Sequence, residues 1–237
     1  MILEVYIKST EVNPIICALD TQNLNEALSL ANTLRNKVGM IKLGLEFFAA
    51  HGLSGVKEVA KCNVPIFLDL KLHDIPTTVA KTVAAIKALN VEILTLHISG
   101  GAKTLEEALN VVQGTKMKLI GVTVLTSMSN EDLNELGIVK EVKSQVILLA
   151  KLAKKIGLHG IVCSALEAQE VRQECGKDFT IITPGIRVDS GHDDQKRTAT
   201  PKEAINSGAD YIVIGRPITK SDDPASSAEL ILKSLIN

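Results

Sequence analysis

Net charge is almost absent from this chain of 237 residues: 26 lysines and arginines face 27 aspartates and glutamates, a formal balance of −1. The basic residues are scattered rather than gathered into one run, so the sequence carries no electrostatic footprint for a nucleic acid, and no such partner is expected. Long apolar runs are missing as well. None approaches the roughly 18 residues needed to cross a bilayer, which excludes a membrane helix. Residues 1–11 lack the basic start, apolar middle and small-residue exit of a signal peptide, so the expected location is the cytoplasm. Cysteine is sparse: Cys17, Cys62, Cys163 and Cys175 form no C-x-x-C pair and no metal-cluster spacing. Cys17 and Cys163 lie inside apolar runs, where a thiol packs as a small hydrophobe, so neither a disulfide framework nor a metal is implied.

There is no interdomain linker and no low-complexity segment. What fills the chain instead is 46% apolar and 22% charged residues, ample material for the core of one soluble domain spanning residues 1–237. Eight short, β-branched apolar runs recur, at residues 14–19, 40–43, 66–71, 93–97, 119–125, 160–163, 180–183 and 211–214. Between them, residues 24–34, 77–89, 104–112, 142–156, 165–174 and 201–207 place apolar side chains three and four apart, the period of a helix with one buried face. Strand and helix in alternation require parallel strands with crossover helices. The strands are nearly continuous hydrophobic runs, as expected where helices cover the sheet. Eight units in this length suggest a closed (β/α)8 TIM barrel. The alternative, an open doubly wound sheet, normally carries an early glycine-rich phosphate turn, and Leu19, Asp20, Thr21 and Gln22 supply no glycine.

In such a barrel the residues at the C-terminal strand ends face the active site. Here they are Asp20, Lys42, Asp69 with Lys71, His97, Thr126 with Ser127, Ser164, Arg187 and Arg216. Acids and lysines alternate around one mouth. The densest group is residues 69–74, DLKLHD. Asp69 and Lys71 are two apart, which in a regular strand turns both to one side. A surface D-x-K-x-x-D would be a solvated ion-pair cluster that contributes little. Ile66, Phe67, Leu68, Leu70 and Leu72 make this a core strand instead, where charge is costly and rarely kept without a use. Carboxylates within about 4–6 Å favour the ammonium form of a buried lysine, and a lysine kept cationic can donate a proton. The same carboxylates would repel a substrate carboxylate, an arrangement suited to decarboxylation. His73 reads as a structural, hydrogen-bonded residue, and no histidine pair has metal-ligand spacing.

A second constellation joins residues 183–187, TPGIR, to residues 213–219, VIGRPIT. Barrels often bind phosphate at the loops after strands seven and eight, where glycine admits a close backbone approach. Arg187 or Arg216 could then grip the anion with a forked donor pair. The polar stretch 188–196 between the two, with Asp189, Ser190, Gly191, His192, Asp193, Asp194 and Gln195, is a candidate lid.

At these residues the chain resembles the bacterial orotidine 5'-phosphate decarboxylases, from about residue 14 to about residue 227. The family's strand-three signature stands as residues 67–79, FLDLKLHDIPTTV, and its phosphate-side signatures as TPGIR and VIGRPIT. The resemblance implies conversion of orotidine monophosphate to uridine monophosphate in pyrimidine synthesis, with no metal and no organic cofactor. It makes Lys71 the acid that protonates C6, within a tetrad of Lys42, Asp69, Lys71 and an Asp74 from the other subunit of a homodimer. Asp20 and Lys42 would hold the ribose hydroxyls, with Thr78 arriving from the partner, and Thr126 and Ser127 would lie against ribose and pyrimidine. Pro184 belongs to the phosphate-side signature, and Arg187, Gln195, Gly215 and Arg216 would bind the phosphate.

Two other functions remain open. Magnesium-dependent phosphosugar decarboxylases of the same barrel superfamily share D-x-K-x-x-D but place an acid where this chain has Lys42. A catalytically silent nucleotide-binding barrel would keep the phosphate loops while losing the tetrad.

Overall fold

The computed structural model describes residues 13–187 and 197–236. Eight strands, β1 (Ile15–Ala18), β2 (Met40–Leu43), β3 (Ile66–Leu72), β4 (Ile93–His97), β5 (Lys118–Val122), β6 (Gly160–Val162), β7 (Thr180–Thr183) and β8 (Tyr211–Ile214), pair in parallel. They close in sequence order into one barrel. The (β/α)8 architecture expected from the alternation is therefore the observed one.

Each strand divides its side chains by the two-residue period of a pleated backbone. Ile16, Met40, Phe67, Ile93, Ile120 and Ile182 meet on the barrel axis, with Val162, Tyr211 and Val213 against them. The alternate set, including Ile15, Cys17, Ile41, Leu43, Ile66, Leu68, Leu94, Leu96 and Ile212, packs outward under the helices. That is why the runs read as continuous hydrophobics: both faces are covered. All four cysteines are buried and unpaired, and burial pushes the Cys17 thiol up to about 12, the chemistry of a packing residue rather than a nucleophile.

The helices are α1 (Leu24–Leu34), α2 (Leu45–Ala60), α3 (Pro76–Lys87), α4 (Ala102–Val112), α5 (Asn130–Glu135), α6 (Val142–Ile156), α7 (Ala165–Cys175), α8 (Pro201–Asn206), α9 (Arg216–Thr219) and α10 (Pro224–Ile236). Six agree with the expected segments to within one or two residues at most ends. Four were not expected. The apolar period of α2 is broken where Gly52 takes φ 55 and ψ −154, so two helical pieces meet at a kink. Two of the others, α5 and α9, span only six and four residues, shorter than any periodicity window. Strand β5 ends at Val122 rather than at residue 125, because Thr123 turns its hydroxyl to the Val162 carbonyl at 2.7 Å and the chain leaves the sheet.

Candidate active site

Continuing the inward set of each strand toward its C-terminal end replaces the apolar layer with charge. Two residues beyond Met40 stands Lys42, and two beyond Phe67 stands Asp69. Thr95 follows Ile93 in the same way, and Asp20 follows Ala18 just past β1. These side chains form one chain of alternating sign. Asp20 Oδ1 lies 3.1 Å from Lys42 Nζ, Lys42 Nζ lies 3.9 Å from Asp69 Oδ2, and Asp69 Oδ2 lies 2.7 Å from Lys71 Nζ. The Lys42 and Asp69 side chains are only 12% and 11% exposed while that of Lys71 is 30% exposed, so the Lys71 ammonium is the one turned toward the mouth.

Asp69 and Lys71 do meet, but not by regular strand alternation. Residues Leu68 and Leu72 of β3 stand opposite Leu94 and Leu96 of β4, four residues against two, so the ladder is interrupted between them. Within the interruption Lys71 takes φ 50, in the left-handed region. Its backbone N–H donates to Thr95 Oγ1 at 2.9 Å, and the Thr95 hydroxyl donates in turn to Asp69 Oδ1 at 2.9 Å. Thr95 is fully buried.

Gly44, just after β2, leaves the room that Lys42 needs. A Cβ there would stand 2.9 Å from Lys42 Nζ and 3.5 Å from Asp20 Oδ1. On the same rim, just after β7, Gly185 takes φ 77, a conformation that favours glycine. Beside it Pro184 and Arg187 are half-buried, Gly215 is half-buried and Arg216 is exposed. A Cβ on Gly215 would meet Ala18 Cβ at 3.6 Å and Ala18 O at 3.8 Å, both ordinary contacts, so space alone does not require glycine there. Thr126 is half-buried and Ser127 exposed on the loop after β5. Gln195 and the whole 188–196 stretch lie outside the described residues.

Asp74 and Thr78 are exposed. The Asp74 carboxylate accepts the Ile75 N–H at 2.6 Å and makes no ion pair with a described residue. The His73 ring lies 5.3 Å from that of His97. Burial first, then His73 and Lys71, holds His97 below its ordinary value. Ser164 is structural: buried, it caps α7 by accepting the Leu166 N–H. Among the described residues no three His, Cys, Asp or Glu side chains gather as a metal site would need.

The model of the orotidine 5'-phosphate decarboxylase / HUMPS family matches residues 13–231. The chain belongs to this family. A Wolbachia (subsp. Brugia malayi) protein named orotidine 5'-phosphate decarboxylase is 86% identical over 94% of this chain and 100% of its own length. One of the same name from Ehrlichia canis is 57% identical over 94% of this chain and 98% of its own. Among solved structures, the orotidine 5'-phosphate decarboxylase of Lactobacillus acidophilus superposes with a TM-score of 0.83 at 37% identity, covering 95% of this chain and all of the other.

Of the residues the sequence assigned to one mouth, the structure brings Asp20, Lys42, Asp69 and Lys71 within contact of one another. The sequence reading missed Thr95 and Gly44. Thr95 had a signal, a hydroxyl inside the apolar run ILTLH. Gly44 had none beyond being the glycine that follows a strand.

Proposed function

We propose that this protein converts orotidine 5'-monophosphate to uridine 5'-monophosphate and carbon dioxide at the Asp20, Lys42, Asp69 and Lys71 mouth of the barrel. The observation that carries this reading is the buried carboxylate of Asp69, set between two ammonium groups with Lys71 outermost. The names of the Wolbachia and Ehrlichia relatives point the same way. As the C6–carboxylate bond breaks, its electron pair stays on C6 and carbon dioxide leaves. The Lys71 ammonium attracts that carbanion and then gives it a proton, after which solvent reprotonates the amine. Asp69 repels the departing carboxylate and, with Thr95, fixes where Lys71 stands. Such pre-organised charge acts without reorganising during the reaction.

Asp20 and Lys42 hold the ribose hydroxyls, and Thr126 and Ser127 flank ribose and base. The phosphate falls to Arg187, Gln195, Gly215 and Arg216, next to Pro184. Gly215 supports this part: where the protein leaves space for a side chain, glycine keeps backbone open to an anion. Phosphate contacts remote from C6 supply binding energy that can be spent on orienting the base.

The active unit in this reading is a cytoplasmic homodimer in which Asp74 and Thr78 serve the partner's site. Their exposure supports it, as does the apolar surface beside them. Ile75 is 67% and Leu45 58% exposed, and a groove of about 530 Å³ lined by Leu45, Phe48, Leu53, Leu70 and Leu72 runs between α2 and α3. No metal enters the reading. Lys42 Nζ stands between Asp20 and Asp69, where a divalent cation bound to those acids would meet an ammonium at close range, which disfavours the phosphosugar alternative.

The test is loss of orotidine monophosphate absorbance with purified protein in excess EDTA. Rapid loss supports the proposal. Inactivity on this substrate together with magnesium-dependent turnover of a phosphosugar acid would support the alternative, and binding without turnover would mean a silent barrel.

A further inference from the structure

We propose that Arg197, anchored by the buried Glu167, is a positioning residue that sets the Thr126 and Ser127 loop in place for the substrate; the proposal rests on the functional reading above. Thr126 and Ser127 sit beyond the end of β5, on chain that has left the sheet, so the ladder does not fix them. The Leu125 carbonyl just before them accepts the Met128 N–H at 3.0 Å, a turn that spans the two residues. Arg197 ties this turn to the rest of the barrel: Nη2 donates to Val124 O at 3.2 Å and to Leu125 O at 3.0 Å.

The guanidinium is itself held on its other side. Nη1 donates to Glu167 Oε1 at 2.6 Å, and the two side chains are 11% and 4% exposed. Glu167 comes from the first turn of α7, whose start is capped by Ser164. Burial pushes the Glu167 carboxyl above its usual range, and Arg197 is the first influence opposing that. The Arg197 backbone is also restrained nearby. Two residues on, Ala199 bridges to Ile186, with Arg187 N–H to Ala199 O at 2.9 Å and Ala199 N–H to Gly185 O at 3.2 Å. One planar fork therefore connects α7 and the carbonyls preceding Thr126, from a point of the chain tied to the loop of Pro184 and Arg187. The base side and the phosphate side of the site are held at a fixed spacing. A lysine has a single nitrogen and cannot reach the carboxylate and both carbonyls in that geometry.

A role in stability alone would not need this arrangement, since well-packed hydrophobic residues often replace a buried ion pair without loss. A fixed spacing between the two sides instead lets phosphate binding act on the base, so its loss should fall on turnover more than on substrate affinity.

The experiment measures kcat and KM for orotidine monophosphate, product affinity and thermal melting in wild type, Arg197→Ala, Arg197→Lys and the double variant Glu167→Gln/Arg197→Met. The double variant removes both charges, which guards against unfolding from an unpaired Glu167. The expected result is a folded double variant with kcat reduced at least 30-fold and uridine monophosphate affinity reduced less than tenfold, on the order expected for lost positioning. Arg197→Ala should regain at least tenfold in kcat with millimolar guanidinium but not with methylammonium, and Arg197→Lys should stay low. A folded double variant with kcat within threefold of wild type would overturn the assignment, as would equal rescue by both cations. Absence of turnover in wild type would instead sink the functional reading, so the two failures are told apart by the wild-type arm.

Discussion

Thr95 holds Lys71 by its backbone rather than by its charge: the Thr95 hydroxyl accepts the Lys71 N–H at 2.9 Å while donating to Asp69 Oδ1 at 2.9 Å. One buried group on β4 thereby replaces the missing rung of the β3 ladder and orients the carboxylate that pairs with Lys71 Nζ. The positive φ of Lys71, 50°, is a conformation that costs on the order of 1–3 kcal/mol and persists only where neighbours impose it.

Thr95→Val keeps the shape and removes the hydroxyl, leaving the Lys71 N–H and one Asp69 oxygen unpaired. Stability should fall by about 1–3 kcal/mol in urea unfolding. Turnover should drop by about tenfold or more while uridine monophosphate affinity changes little, and Thr95→Ser should restore most of both. Unchanged turnover in Thr95→Val would show that Lys71 is placed without it.

Gly44→Ala separates room from fold. Gly44 is extended at φ −96 and ψ −169, which alanine adopts freely, and the nearest atom to the new methyl is the far end of Lys42. Melting should shift little, corresponding to about 1 kcal/mol or less for a helix start. Turnover should nevertheless fall by roughly tenfold, because the ammonium must leave its place between Asp20 and Asp69, and an ammonium only slightly misplaced loses its effect. Equal activity would mean that the Lys42 position is not critical.

His159 sets a pH dependence far from the site. Its Nδ1 accepts the Leu119 N–H at 3.1 Å, which requires the neutral ring, and burial holds its pKa below the ordinary 6.5. His97 is shifted the same way. Below 6.5 the unfolded chain then binds more protons than the folded one, so stability is lost as pH falls through that window and is fully present above it. Melting temperature should decline from pH 7 to pH 5, and His159→Asn, whose amide oxygen can take over the acceptor role, should show a shallower decline. An identical slope in the variant would remove His159 from the account.

The proposal that two subunits share each site makes a quantitative prediction. If Lys71→Ala and Asp74→Ala homodimers are each inactive, a mixed dimer with two-fold symmetry collects both defects in one site and neither in the other. Random exchange of equal amounts gives about half mixed dimers with one intact site each, so about a quarter of wild-type activity should return. If mass spectrometry shows exchange while activity stays at the level of the separate mutants, Asp74 acts within its own chain.

The barrel was legible because its signal is periodic: eight covered strands alternate with amphipathic helices, and Asp20, Lys42 and Asp69 fall at strand ends by counting alone. Lys71 was placed on the right side for a reason the backbone does not follow, since a left-handed residue inside an interrupted ladder leaves no trace in a two-residue period. Helix α2 was hidden by Gly52 for the same kind of reason. Arg197 was illegible because its meaning lies in contacts with residues 30, 72 and 73 positions away, and a lone arginine after a polar stretch resembles any surface charge. The roles given to Asp74 and Thr78 rest on the family resemblance alone, and in this chain both residues are exposed.

The most direct measurement compares wild type and Lys71→Ala side by side for turnover of orotidine monophosphate and for affinity toward uridine monophosphate, with circular dichroism on both. The account predicts that the variant remains folded and binds nucleotide within about tenfold of wild type, while decarboxylation falls by at least a thousandfold, on the order of 4 kcal/mol or more in the barrier. Turnover in Lys71→Ala within tenfold of wild type would contradict it, since a group other than Lys71 would then be meeting the carbanion and protonating C6.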